Sequence, residues 1–345
     1  MKVFRQALMI AAPLIDFFAS RREREQPMAL ATVVHTKGST YSKSGAMMLI
    51  DEHGIFQGML SGGCLEGDLA IRAQQVIASQ RPQRVTYDLA MDNEELWGLG
   101  VGCDGLMEIL VQPLLMSSGY EPMASILDLV VADQTAELTL VIESSSADVP
   151  LAASSVRGTD TTQTFGTDVT LDEDASGYRT LSVLVQPAPR ILVLGAGLDA
   201  EPLVRLATEM GWRCTVVDHR PGYFEQADFS AAVATHCCTV DELPAKLALD
   251  DFDAAVVMSH HLTSDRGYLR HLAGSQVPYI GLLGPPGRRD RLLTEIGDDA
   301  DALRDRMRGP AGIELGGRGP SAIALSIVAE IQAELQSAAS PVRRC

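Results

Sequence analysis

The chain lacks a positive balance: its 28 Lys and Arg face 45 Asp and Glu, for a formal net charge of -17 at pH 7. Nucleic-acid binding draws most of its affinity from cations that meet phosphates, so this deficit argues against DNA, RNA and anionic membrane surfaces as partners. No apolar run approaches the roughly twenty residues of a membrane span. The opening residues 1–24 have neither the basic start nor the small-residue cleavage site of a secretory signal, and a cytoplasmic protein is the expectation. Its six cysteines, Cys64, Cys103, Cys214, Cys237, Cys238 and Cys345, have no regular spacing and no Cys-x-x-Cys pair. That argues against a disulfide framework and against zinc held at ordinary ligand spacing. There is no internal repeat. What is present is a globular composition, 46% hydrophobic and 21% charged, in 345 residues that leave room for two domains with cores of their own.

The most organised stretch is Ile191-Leu-Val-Leu-Gly195-Ala-Gly197-Leu-Asp-Ala200, followed by an amphipathic run and then Arg213-Cys-Thr-Val-Val-Asp218. It reads as strand, tight turn, helix, strand. Gly195 makes the turn, Gly197 leaves bare backbone where a pyrophosphate approaches, and Ala200 lets the helix pack closely on the sheet. Asp218 ends the second strand at the distance where a dinucleotide-binding unit places an acid for a ribose hydroxyl. His219 and Arg220 follow directly and leave room for a 2′-phosphate, so NAD and NADP both stand. The alternative is a Rossmann-type scaffold with an empty or repurposed crevice. Further apolar runs at 231–234, 254–258 and 278–282 alternate with helical stretches near Leu243, Tyr268 and Leu292, and residues 321–335 supply a closing helix.

Upstream, the spacing of Phe4, Leu8, Ile15 and Phe18 predicts an opening helix over 3–18. Strands follow at 29–35, 46–50, 55–60, 84–89 and 106–111, then a helix over 118–131 and strands at 137–142 and 181–185. The Ser/Thr/Asp-rich stretch 144–178 has no readable pattern. Gln186-Pro-Ala-Pro-Arg190 is the linker, because paired prolines stiffen a connector. The expected division is an N-terminal α+β domain over 1–186 and a C-terminal Rossmann-like parallel α/β domain over 187–345.

Two cysteines sit in glycine loops. Cys64 lies between Gly62-Gly63 and Leu65-Glu66, just before a helix over 69–79. Bare backbone admits a ligand closely, and the positive end of a helix favours thiolate. Such a thiol suits a soft metal, molybdenum among others, or a persulfide, or it is a small packed side chain. Cys103, among Gly100, Gly102 and Gly105, has the same setting and the same two readings. In the second domain Met258-Ser-His260-His261 ends a predicted parallel strand, so His260 either faces the crevice or satisfies backbone groups. Gly284 with Arg288 and Arg289 follows another strand and suits a phosphate or acidic group, or the two arginines are solvated helix charges. The candidates for catalysis are Cys64, His260 and Asp265.

These blocks together resemble the XdhC/CoxI family of accessory proteins for xanthine dehydrogenase and related molybdenum hydroxylases. The blocks are Lys37-Gly-Ser-Thr-Tyr41 with Gly45, Gly58-Met-Leu-Ser-Gly-Gly-Cys-Leu-Glu66, Gly100-Val-Gly-Cys-Asp-Gly105, Gly195-Ala-Gly-Leu-Asp-Ala200, Asp218-His-Arg220, Met258-Ser-His260 with Asp265, Tyr279-Ile-Gly-Leu-Leu-Gly284 and Gly316-Gly-Arg318. The resemblance implies an XdhC domain before a Rossmann domain, acting as a chaperone that binds molybdenum cofactor in its molybdopterin form, supports its sulfuration and inserts it into a client such as xanthine dehydrogenase. It carries the cofactor-binding thiol, and with it a molybdenum contact, onto Cys64, with Glu66 as a neighbouring polar contact and Cys103 as the second cysteine. A cysteine desulfurase and a second copy of the chain are further partners it admits. Two functions compete with it: an NAD(P)-dependent oxidoreductase, and a redox sensor built on Cys64 and Cys103. The first finds no Tyr-x-x-x-Lys pair and only His260 with Asp265 as a proton-relay dyad. The second needs those thiols within bridging distance.

Overall fold

Short runs of β-branched and long aliphatic residues form strands where both of their faces find apolar cover. The computed structural model describes residues 6–88, 105–171 and 177–339. The chain divides into two units, Met1–Pro187 and Ala188–Cys345. In the first, the strands are β1 (Gln6–Met9), β2 (Met28–Lys37), β3 (Met47–Asp51), β4 (Phe56–Gln57), β5 (Gln83–Asp88), β6 (Leu106–Leu114), β7 (Ala136–Ser144), β8 (Ser154–Arg157), β9 (Thr162–Phe165) and β10 (Tyr178–Gln186). The helices are α1 (Ala12–Glu23), α2 (Glu66–Ser79) and α3 (Met123–Val131). The strands form two sheets, ordered β4-β3-β2-β6-β5 and β1-β10-β7-β8-β9.

Strand β2 shows why the first sheet is buried on both sides. Ala29, Ala31 and Val33 pack with Leu69, Ala73 and Val76 of α2, while Met28 and Leu30 join a second core with Phe17, Phe18, Met123 and Leu127. Successive side chains of a strand point to opposite faces, so a continuous apolar run is what a strand covered twice requires.

The opening helix is shorter than its apolar spacing predicts. Residues 6–9 form β1, parallel to β10, and α1 starts only at Ala12. Pro13 in the first turn explains the shift, since proline is tolerated there and disrupts a helix that tries to run through it. The strand expected over 55–60 contracts to Phe56–Gln57, because Gly58 (φ 103) and Gly62 (φ 76) turn the chain away from extended geometry. The helix expected over 118–131 is α3 preceded by a single 3-10 turn at Met116–Ser118. The stretch without a readable pattern contains β8 and β9.

The second unit runs β11 (Arg190–Leu194), α4 (Ala200–Glu209), β12 (Arg213–Asp218), α5 (Pro221–Gln226), β13 (Ala234–Cys237), α6 (Leu243–Lys246), β14 (Ala254–Val257), α7 (Leu262–Ala273), β15 (Tyr279–Leu282), α8 (Pro286–Ile296), β16 (Met307–Arg308) and α9 (Pro320–Ala339). All of its strand pairs are parallel, in the order β13-β12-β11-β14-β15-β16. That is the doubly wound order of dinucleotide-binding folds, with the reversal between β11 and β14. Ligands of such sheets bind beyond the carboxyl ends of the strands at that reversal. The fold is therefore the α/β class expected, with a Rossmann sheet in the C-terminal part. Among the described residues no helix is long and apolar enough to cross a membrane.

Candidate functional site

One end of the first sheet gathers three of the glycine-containing blocks. Lys37 at the end of β2 pairs with Leu106 at the start of β6, which brings Gly105 beside the loop that leaves β2. A Cβ on Gly105 would stand 2.3 Å from the Ser39 carbonyl oxygen and 2.6 Å from Thr40 Cγ2, so only glycine fits there. From the same loop, the ring of Tyr41 lies against Gly62, and the Ser42 hydroxyl donates to the Met59 carbonyl at 3.3 Å. Residues 37–45 thus touch both Gly105 and the 58–66 segment that carries Cys64. Cys103 and the rest of 100–104 lie outside the described residues.

Cys64 is half-buried, its side chain packed against the core under α2. Before it stands Gly63 (φ 108), where an added Cβ would meet nothing within 4 Å among the described residues. Glu66, at the start of α2, is buried and organises the loop. Its Oε1 accepts the Leu60 amide at 2.9 Å and the Ser61 amide at 2.8 Å. Its Oε2 accepts the Gly63 amide at 3.0 Å and the Ser61 hydroxyl, which in turn accepts the Leu65 amide at 2.7 Å. Burial alone would raise this carboxyl, but the Ser61 hydroxyl and the Ser61 and Leu60 amides hold it below the ordinary Glu range. Glu66 is therefore committed to its own backbone, which differs from the polar ligand contact expected of it. Two residues on, Asp68 Oδ2 accepts Arg72 Nε and the Tyr87 hydroxyl, both at 2.5 Å.

In the second unit, Gly195 (φ 130) makes the expected turn: a Cβ there would sit 2.5 Å from the Met258 carbonyl oxygen. Ala200 is fully buried at the start of α4. Asp218, also fully buried, is engaged within the protein. Oδ1 accepts the Arg220 amide at 2.9 Å and Arg220 Nε at 2.8 Å, and Oδ2 accepts the Ala196 amide at 2.8 Å and Arg220 Nη2 at 2.7 Å. Burial raises this acid, and the Arg220 side chain together with the Ala196 and Arg220 amides brings it below the ordinary Asp value.

His260 stands at the mouth of the same crevice in a left-handed backbone conformation (φ 57). Its partner is not Asp265 but Asp199, with Nε2 at 2.7 Å from Oδ2. The Asp199 hydrogen bond raises the imidazole above its ordinary value against the opposing effect of burial. The ring also lies near Gly197, where an added Cβ would be 3.0 Å from Asp199 Oδ1 and 3.8 Å from His260 Cδ2. Asp265 is fully buried and occupied otherwise: it accepts the Ser259 hydroxyl at 2.5 Å and Arg288 Nη2 at 2.6 Å. Arg288 packs under Gly284 (φ 135), whose added Cβ would stand 2.6 Å from Arg288 Cδ. The crevice therefore joins Gly195, Gly197, Asp218, Arg220, His260, Asp265 and Arg288, and adds Asp199 and Ser259, which the sequence reading passed over. Asp199 lies inside the glycine motif itself, and its Oδ1 would stand 3.0 Å from a Cβ on Gly197, so the acid within the motif is the signal that could have found it.

Residues 191–331 match the XdhC Rossmann domain, and residues 21–88 match the XdhC and CoxI family. A Bacillus subtilis protein named as a "Probable xanthine dehydrogenase" subunit is 30% identical over 324 residues, covering 90% of this chain and 93% of that protein. The "Molybdenum cofactor insertion chaperone PaoD" of Escherichia coli is 22% identical over 305 residues, 88% of this chain and 81% of the other. Among solved structures, a protein of Bacillus halodurans described as a xanthine dehydrogenase superposes with a TM-score of 0.81 at 31% identity, over 95% of this chain and 98% of that one. With the thiol loop and the Rossmann order in the same chain, these likenesses place it: the protein belongs to the XdhC and CoxI family.

Proposed function

We propose that this protein is an accessory factor that carries molybdenum cofactor as cargo, holds it while it is sulfurated, and inserts it into a xanthine dehydrogenase-type molybdenum hydroxylase. The observation that carries the reading is the contrast within one loop. Glu66 ties down the amides of Leu60, Ser61 and Gly63, while the neighbouring Cys64 is only half-buried and the space over Gly63 is open among the described residues. A fixed thiol beside bare backbone offers one soft ligand and a close approach for a flat, phosphate-bearing group. Among the described residues no three His, Cys, Asp or Glu side chains gather as a metal cage. That suits a metal that arrives with its own ligands better than a bare ion. In this reading Cys64 contacts the cargo, Gly62 and Gly63 flank it, and Glu66 is the scaffold.

The names of the relatives support the assignment from two sides, one a cofactor insertion chaperone and the other belonging to a dehydrogenase. The reading puts the protein in the cytoplasm with its client, with a cysteine desulfurase as the source of sulfur. For the second unit, the strand order and the turn at Gly195 support a ligand crevice. Native mass spectrometry of the protein co-expressed with cofactor biosynthesis tests the main reading. The expected result is molybdopterin bound in near-stoichiometric amount and transferred to a client apo-enzyme. A protein that emerges without pterin, and oxidises a small substrate with NAD, would favour the oxidoreductase instead.

A further inference from the structure

We propose that Arg220 is a strap that closes the second unit's crevice to a ribose diol, so that the Rossmann sheet is retained while NAD is excluded. The inference rests on reading that crevice as a ligand site and goes on to say which ligand it refuses.

A carboxylate offers about four lone-pair positions, two on each oxygen. Asp218 has all of them taken, by the amides of Ala196 and Arg220 and by Nε and Nη2 of Arg220. No acceptor position is left for the paired hydroxyls that the acid at this point of a dinucleotide-binding unit receives. The guanidinium is itself held from several sides. Nη2 also donates to the Ser259 carbonyl at 3.0 Å, Nη1 donates to the Tyr223 hydroxyl at 3.3 Å, and the group stacks 4.1 Å from the Tyr223 ring centroid.

The position of those anchors matters. Asp218 ends β12, Ser259 follows β14, and β11 lies between these strands in the sheet. Arg220 therefore spans the carboxyl end of β11, above the turn at Gly195 and Ala196, across the reversal point where such folds bind ligands. A hydroxyl that donates to Asp218 is charge-assisted on the acceptor side alone, whereas the guanidinium pair is ionised on both sides and bidentate. A neutral diol that competes for Asp218 must replace a guanidinium already paired bidentately, and must leave that guanidinium without its counter-ion. The exchange favours the strap.

Calorimetric titration with NAD distinguishes the strap from an ordinary crevice, using the wild type, Arg220→Ala, Arg220→Lys and the double variant Arg220→Ala/Asp218→Ala. Removing the fork should free both Asp218 oxygens and tighten NAD binding by about tenfold or more, since two hydroxyl bonds to a charged acceptor are regained. Arg220→Lys keeps the charge but loses the fork. It should tighten NAD by a smaller factor, and it decides the matter if the alanine variant melts too low to titrate. The gain should vanish in the double variant. Equal NAD affinity in wild type and single variants, including no measurable binding in any of them, would overturn the proposal. So would a gain that survives loss of Asp218. None of these outcomes depends on whether Cys64 holds molybdenum cofactor.

Discussion

Glu66 and Asp218 are both buried carboxylates at the edge of a glycine loop, both are held below their ordinary titration range by surrounding donors, and they leave opposite surroundings. Glu66 spends its oxygens on backbone amides and the Ser61 hydroxyl, so the loop stiffens while the half-buried Cys64 and Gly63 beside it keep no side chain lying across them among the described residues. Asp218 spends half of its capacity on one long side chain, and that side chain covers the crevice. A buried acid next to a family motif is thus not in itself a ligand contact. What decides is whether the donors that satisfy it are local backbone, which leaves the site clear, or a cation that has to lie across it.

Glu66→Ala gives the largest expected effect on stability. It orphans three amides and a hydroxyl, at a desolvation cost of about 1–3 kcal/mol per buried group, so a total loss of several kcal/mol is expected in urea unfolding of the full chain. Glu66→Gln, which keeps an acceptor oxygen, should lose clearly less. A Glu66→Ala protein as stable as wild type would remove the comparison at its root. Gly105→Ala should come next, at about 1–3 kcal/mol, because its Cβ would overlap the Ser39 carbonyl rather than a side chain that can turn away. Gly63→Ala meets no atom within 4 Å and should cost only the strain of its positive φ, about 1–2 kcal/mol. If the two alanines prove equally costly, the thiol loop is not open where the structure leaves it open.

Titration should show smaller effects of opposite sign. Glu66 has a lowered native value, so its contribution is present above the ordinary Glu value of 4.5 and is lost as pH falls through the native one. His260 has a raised native value, so its pairing with Asp199 contributes below the ordinary His value of 6.5 and is lost as pH rises through the native one. Melting temperature followed against pH should therefore show a shallower acid limb in Glu66→Gln and a shallower limb above neutrality in His260→Gln. The histidine effect should be the smaller of the two, since its side chain is 58% exposed and solvent screens the pair.

The Rossmann unit was legible because its signals are local: an apolar strand, a glycine turn and an acid about twenty residues on. The thiol loop was legible as a place, though not as a mechanism. Ser61 and Glu66 stand in plain view, but the groups that Glu66 binds are backbone amides, which no pattern of side chains reveals. The pairing of His260 with Asp199 was hidden for a different reason. The two are 61 residues apart, and the left-handed backbone at His260 is a conformation in which a non-glycine residue is uncommon. Strands β8 and β9 escaped notice because β9 is an edge strand, with Thr162, Gln163 and Thr164 exposed and only Phe165 partly buried. Such a strand needs little apolar alternation of its own.

The proposed function makes Cys64, set beside Gly63 in the loop that Glu66 holds, the place where the cargo binds. Cys64→Ser in protein co-expressed with cofactor biosynthesis tests it most directly, with pterin occupancy read by native mass spectrometry and melting temperature read on the same preparation. Exchanging sulfur for oxygen changes little volume, so the variant should melt within a few degrees of wild type, about 1 kcal/mol or less, while losing most of its bound cofactor. A Cys64→Ser protein that retains wild-type cofactor occupancy would contradict the account.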